Sequence, residues 1–191
     1  MIFPIVAYGD PVLKKRAQDI PNDGSVDIKK LSENMYETMY NASGVGLAGP
    51  QVGLSQRIFV VDAQGMEDED SEIKGLKKVF INPEIIEEIG EEWGFEEGCL
   101  SIPDIRGEVE RKPQIKIKYY DTDWNEHIEE YDGMTARVIQ HEYDHLEGIL
   151  FTDKISAFRK RLLKNKLAKI SKGNIKQTYK MRFPTQRNSV K

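Results

Sequence analysis

The string His141-Glu142-Tyr143-Asp144-His145 constrains this chain more than any other feature. Residues four apart stand one turn apart on the same side of an α-helix, so both imidazoles can reach one metal ion. Glu142 lies beside His141, close enough to meet a water at that ion without ligating it. Such a carboxylate can take the water's proton and later deliver it to a leaving amine. A fold built on this string is expected to place the helix at its centre. The competing reading is a solvated helix face that happens to hold two histidines, and the string is too rare by chance to favour it.

Two histidines fall short of the three protein ligands usual in a catalytic site. His127, the third and last histidine, falls at the far end of an expected hairpin and reads as a surface residue. Cys99 is the better donor. It lies in Glu97-Gly98-Cys99-Leu100-Ser101, where Gly98 allows close backbone approach and Pro103 soon closes the segment. A lone cysteine is often a small buried hydrophobe. Beside two metal-facing imidazoles, its thiolate completes a Cys-His-His set with a fourth position left for water. As the only cysteine it also excludes an intrachain disulfide framework and fits a reducing cytosol.

A third element is the loop Gly44-Val45-Gly46-Leu47-Ala48-Gly49-Pro50-Gln51. It reads first as a helix C-cap and turn. No Lys-Ser or Lys-Thr follows the glycines, so it is not a phosphate loop. Gln51 is an amide donor where glycines let substrate approach closely, and it suits a carbonyl oxygen that gains negative charge.

Around these segments the pattern is that of a single α+β domain, with short antiparallel strands about a central metal-binding helix and a basic helix at the end. Residues 8–20 read as an irregular arm. Ile28, Leu31, Met35 and Met39 recur at helical spacing between Ser25 and Ala42. A buried-type strand is expected at 57–61, and two short strands at 79–82 and 84–86 are split by Pro83. Residues 114–119 and 126–131 alternate as a hairpin about Asp123-Trp124-Asn125. The metal helix spans about 134–147 and stops at Gly148. A last helix, about 157–170, sets Phe158, Leu162, Leu163 and Leu167 on one stripe. Residues 63–77 hold Glu67-Asp68-Glu69-Asp70, a solvated excursion without the alternating ligands and central Gly of a calcium loop.

Charge divides the chain into a body, residues 1–155, and a tail, 156–191. The tail holds 12 of the 28 Lys and Arg and none of the 32 Asp and Glu, which leaves the body at −16 within a total of −4. An acidic body with a basic tail suggests either an anionic partner for the tail or a tail folded back on the body. No run of ~20 apolar residues could span a membrane. The start lacks a basic segment followed by an apolar stretch, so the protein is expected to remain in the cytoplasm.

In this order, the three segments resemble the motifs of the peptide deformylases: G-x-G-L-A-A-x-Q at 44–51, E-G-C-L-S at 97–101 and Q-H-E-x-D-H at 140–145. Tyr8-Gly9-Asp10-Pro11-Val12-Leu13 resembles the family's start, and the likeness covers about residues 4–152. Gly49 stands where the family usually has Ala, and the missing methyl is expected to loosen the loop. The resemblance implies hydrolysis of the formyl group from N-formylmethionine of new polypeptides, with release of formate. By the same resemblance Cys99, His141 and His145 hold one metal per chain, usually Fe²⁺ although Zn²⁺ or Ni²⁺ also occupy such sites. Glu142 would be the acid–base residue, with Gln51 and the backbone N–H of Leu100 polarising the formyl oxygen. The peptide would align along Val45, Gly46 and Gly98, and Arg106 would steady it. Met134, Arg137 and Val138 would wall the methionine pocket, Arg137 offering its alkyl stem with its charged head turned outward. The family's tie to the ribosome makes the basic tail a ribosome contact, in a protein expected to be a monomer. A general metallopeptidase is the first rival, but no histidine follows His145 and no acidic residue follows Asp153 to supply its third ligand. A catalytically silent homologue is the second, and it would not be expected to keep Glu142, Cys99 and Gln51 together.

Overall fold

The computed structural model describes residues 1–64 and 76–184, so the acidic run at 67–70 lies outside the described residues. Alternation explains the centre of the fold. In β3 (Ile58–Asp62), Phe59 and Val61 face one way and Ile58 and Val60 the other, and all four are fully buried. A strand buried on both faces needs a layer on each side. The first face packs with Ala136 and Ile139 of helix α2 (Gly133–Leu146), and the second with Leu31, Met35 and Met39 of α1 (Ile28–Asn41). The sheet between them runs β2-β3-β4-β7-β8, antiparallel throughout, with β2 at Gly46–Ala48, β4 at Lys77–Ile89, β7 at Gln114–Tyr120 and β8 at Glu126–Asp132.

Local chemistry sets the helix ends. The Asp27 side chain caps α1 by accepting from Lys30 N–H, and Ser43, at φ 56, turns the chain out after its last turn. Gly148 ends α2 with φ 73, where a side chain would run into the Lys14 backbone at 2.8 Å. A short helix, α3 (Phe151–Lys154), follows, and Ser156 then caps α4 (Ala157–Ser171) by accepting from Arg159 N–H.

Several expectations need correction. Pro83 does not split two strands: β4 runs through it as a bulge, with register shifted between Ile81 and Glu84. Asn82 makes the bulge tolerable, since its side chain bonds both the N–H and the carbonyl of Ile20 at 2.8 and 2.9 Å. The segment at 44–51 is no open loop but β2 followed by a 3₁₀ turn, Gly49–Val52, with Gln51 buried. A hairpin of β5 (Trp93–Cys99) and β6 (Ile102–Arg111) was not foreseen. The arm at 8–20 contains a 3₁₀ turn at Pro11–Lys14, capped by Asp10. On α4 the buried stripe is Leu163, Leu167 and Ile170, while Phe158 and Leu162 are 71% and 58% exposed. That stripe packs with Phe151, Val109 and Ile105. Beyond α4 the chain returns, and β9 (Met181–Arg182) pairs in parallel with β1 (Ile5–Val6).

Candidate active site

The helix α2 does what the spacing of its histidines requires. The ligand atoms of Cys99, His141 and His145 all lie within 4.8 Å of one another. Cys99 Sγ is 3.4 Å from His145 Nε2, and the two imidazole rings stand nearly perpendicular, at 85°. Cys99 arrives from the end of β5. One soft sulfur and two imidazole nitrogens suit Zn²⁺ or a late first-row divalent ion, and three ligands leave a position open.

The environment favours that use. His141 Nδ1 is 3.0 Å from Glu97 Oε2, which leaves Nε2 as the atom able to ligate an ion. A carboxylate behind a ligating histidine fixes its tautomer and ring angle. Glu97 is itself locked by charge. Arg111 donates to both its oxygens, at 2.6 and 2.9 Å, and Arg137 to Oε1 at 2.8 Å. Arg111 also donates to Asp144 Oδ2 at 2.8 Å, which ties the hairpin to α2. Burial alone would raise the Glu97 carboxyl, but Arg111, with His141, holds it well below the usual carboxylate range. Burial alone would lower His141, but Cys99 and Glu97 outweigh it and raise it well above its ordinary value. Burial, with His141 and Arg111, pushes His145 well below its own, leaving the neutral form in which an imidazole can ligate. An ion bound here would take the place of the His141 proton.

Glu142 is buried, and its Oε2 has no hydrogen-bond partner among the described residues. A buried carboxylate oxygen without a partner is costly and points to a group that occupies the space beside it. Burial, with His141 opposing, pushes Glu142 up to about 7, the range in which a carboxyl can both take and give a proton. Its position explains Gly46, since a methyl there would fall 2.5 Å from Glu142 Oε1. Gln51 is fixed as a donor: Ala48 N–H donates to its Oε1 at 2.8 Å, which turns Nε2 toward Cys99 Sγ at 3.4 Å and Ser101 Oγ at 3.5 Å.

These groups open on a cleft of about 800 Å³. Val45, Gly46, Gln51, Gly98 and Leu100 line it, as do Arg106, Met134, Arg137 and Val138. His127 stands apart on β8, bonded to Asp121 at 2.8 Å and stacked on Tyr119. Arg137 differs from its expected pose. Its head turns inward rather than out, 2% exposed, bonding the carbonyls of Val109 and Trp93 and lying 4.2 Å from the Trp93 ring centroid. Glu97 outcompetes solvent for that guanidinium. Sequence reading also missed Arg111, which sits in a run, Glu110-Arg111-Lys112, that looks like a wet surface. Three residues from the chain's end, Arg159, Gln177 and Tyr179, also border the cleft without any motif to announce them.

Residues 2–161 match the sequence profile of the polypeptide deformylase family. The chain is 60% identical over 187 residues to a peptide deformylase of Cytophaga hutchinsonii, which covers 98% of this chain and 100% of that protein. It is 58% identical over 196 residues to one of Christiangramia forsetii, covering 99% and 100%. Among solved structures, the peptide deformylase from Thermus thermophilus superposes with a TM-score of 0.79 at 37% identity, covering 91% of this chain and 100% of that one.

Proposed function

This chain belongs to the peptide deformylase family, whose members remove the N-formyl group from nascent polypeptides, and on that premise we propose how its own residues divide the work. Cys99, His141 and His145 hold one divalent ion per chain. Ferrous iron is the ion proposed, with Zn²⁺ or Ni²⁺ able to use the same donors, since affinity alone does not select iron. When bound, the ion supplies Lewis acidity toward the attacking water and the formyl carbonyl.

The protein groups do the rest. Glu142 takes a proton from the water as its oxygen attacks the formyl carbon. Gln51 Nε2 and the Leu100 N–H donate to the formyl oxygen as it gains charge. When the C–N bond breaks, Glu142 gives the proton to the amine nitrogen, and formate and the free amino terminus leave. Val45, Gly46 and Gly98 hold the peptide as an added strand, and Arg106 steadies it. Met134, Val138 and the stem of Arg137 enclose the methionine side chain.

The observation that carries this reading is the gathering of three ligand atoms within 4.8 Å beside a buried carboxylate whose Oε2 lacks a hydrogen-bond partner among the described residues. The test is anaerobic release of formate from formyl-Met-Ala-Ser, with metal measured on the same sample. Glu142→Ala keeps its metal and loses ~10²–10⁴-fold in kcat. Full turnover in the metal-loaded variant overturns the assignment.

The exposed Arg159, Lys160, Arg161, Lys164 and Lys166 of α4 form the face proposed to meet ribosomal RNA phosphate, in a monomeric enzyme of the cytoplasm. No helix among the described residues is long and apolar enough to cross a membrane. Replacing those five with Ser weakens ribosome cosedimentation and flattens its salt dependence. Unchanged binding removes the contact. A single sedimentation species at monomer mass checks the oligomeric state.

A further inference from the structure

We propose that Tyr179 is a positioning residue for the Leu100 amide, and that the paired chain ends form a clamp on the tip of the β5–β6 hairpin. The inference rests on the reading of Leu100 as a donor to the formyl oxygen.

The tip is weakly braced by its own ladder. Cys99 pairs with Ile102, so Leu100 and Ser101 alone make the turn. The next pair is Gly98 with Arg106, which leaves residues 103–105 bulged out, with Asp104 at φ 60. A bulge next to a turn loosens the segment that carries both a metal ligand and an oxyanion donor. Bracing comes from outside the hairpin. Tyr179 Oη donates to the Leu100 carbonyl at 2.7 Å, and Tyr8 N–H donates to the Ser101 carbonyl at 2.9 Å.

These two anchors are joined to each other. Ile5 N–H donates to Lys180 O and Ala7 N–H to Arg182 O, both at 2.9 Å. Two successive carbonyls of the tip are therefore held by residues that flank the two strands of one ribbon, Tyr8 just after β1 and Tyr179 just before β9. Locking the Leu100 carbonyl restricts rotation about the bonds of its Cα, and so holds its N–H in one direction before charge develops. Tyr179 is half-buried at the edge of the cleft, so its ring packs whether or not the hydroxyl is present.

The variant Tyr179→Phe in the full-length, metal-loaded enzyme isolates the hydroxyl. Its kcat on formyl-Met-Ala-Ser falls about tenfold, less than the ~10²–10³-fold expected for deleting an oxyanion donor outright. Metal content, melting temperature and inhibition by the product Met-Ala-Ser stay at wild-type values. Amide exchange across residues 98–103 rises in the same variant, a readout that does not depend on turnover. Wild-type kcat together with unchanged exchange overturns the inference. So does a kcat loss that only tracks lost metal or lost fold. Gln51→Ala, assayed alongside, tests the oxyanion reading separately: if it loses turnover while Tyr179→Phe does not, the clamp alone is refuted.

Discussion

His141 Nδ1 and Glu97 Oε2 stand 3.0 Å apart, and through that contact the charge of Arg111 reaches a ring proposed as a metal ligand. Glu97→Gln keeps the shape but removes the charge that pairs Arg111 and Arg137. Arg111 keeps Asp144, but Arg137 loses its carboxylate partner, and removing one member of a buried ion pair costs about 3–5 kcal/mol. Losing the carboxylate behind a ligating histidine lowers metal affinity ~10–100-fold. Thermal melting measures the first effect and competition with a chelator the second, and a variant that matches wild type in both would remove Glu97 from the metal site's support.

Gly46 is the contact between β2 and Glu142, the carboxylate proposed as acid and base. With a methyl 2.5 Å from Glu142 Oε1, Gly46→Ala must move a side chain that is itself buried. A displacement of about 1 Å at a reacting group can cost ~10²-fold in rate. The expected result is that loss in kcat with metal content retained, checked by formate release and metal analysis on one preparation.

Gly49 overturns an expectation. It is not slack left by a missing methyl, because a Cβ there would fall 2.6 Å from the Gln56 carbonyl and 3.3 Å from that of Leu54. The space is already filled by backbone, which cannot swing aside as a side chain can. Gly49→Ala therefore destabilises the protein by about 1–3 kcal/mol through overpacking, read as a lower urea midpoint at constant m. A midpoint equal to wild type would restore the idea of a loose loop.

The Glu129 carboxyl provides a pH test away from the metal. Burial alone would raise it, but hydrogen bonds from Lys78, Tyr119 and Tyr131 lower it from 4.5 to about 2. A carboxyl lowered in the folded state stabilises above its unfolded pKa, and that contribution is lost as pH falls from about 4.5 toward 2. Denaturation of wild type and Glu129→Gln compared from pH 6 down to pH 2.5 should show a stability gap that closes with acid. A gap constant with pH would mean the carboxylate contributes only shape.

The sequence made some of this legible and hid the rest for identifiable reasons. The helix of His141 and His145 was readable because its chemistry has a fixed spacing, and the β7–β8 hairpin because Ile115, Ile117 and Tyr119 alternate with lysines and glutamine. The β5–β6 hairpin was hidden because two inward positions of β6 are not apolar. Gly107 faces in because Ile155 Cγ2 would lie 2.7 Å from any Cβ, and Arg111 faces in because Glu97 and Asp144 receive it. On α4, Leu162 and Leu163 are adjacent and equally apolar, so the stripe was ambiguous by one residue until the packing of Phe151 chose Leu163. Tyr179 had no local signal at all, because its meaning comes from a parallel pairing between opposite ends of the chain.

That pairing sets an order of events during synthesis. Ile5–Val6 leaves the ribosome first and must wait for Met181–Arg182, so Cys99, His141 and His145, the proposed metal ligands, are all made before the ribbon that steadies Leu100 can close. A message cut short after α4 would yield a protein able to take up its ion yet left with an unsteadied tip. Full turnover thus becomes a report that translation has run on past Tyr179, built into an enzyme whose own substrates are chains still being made.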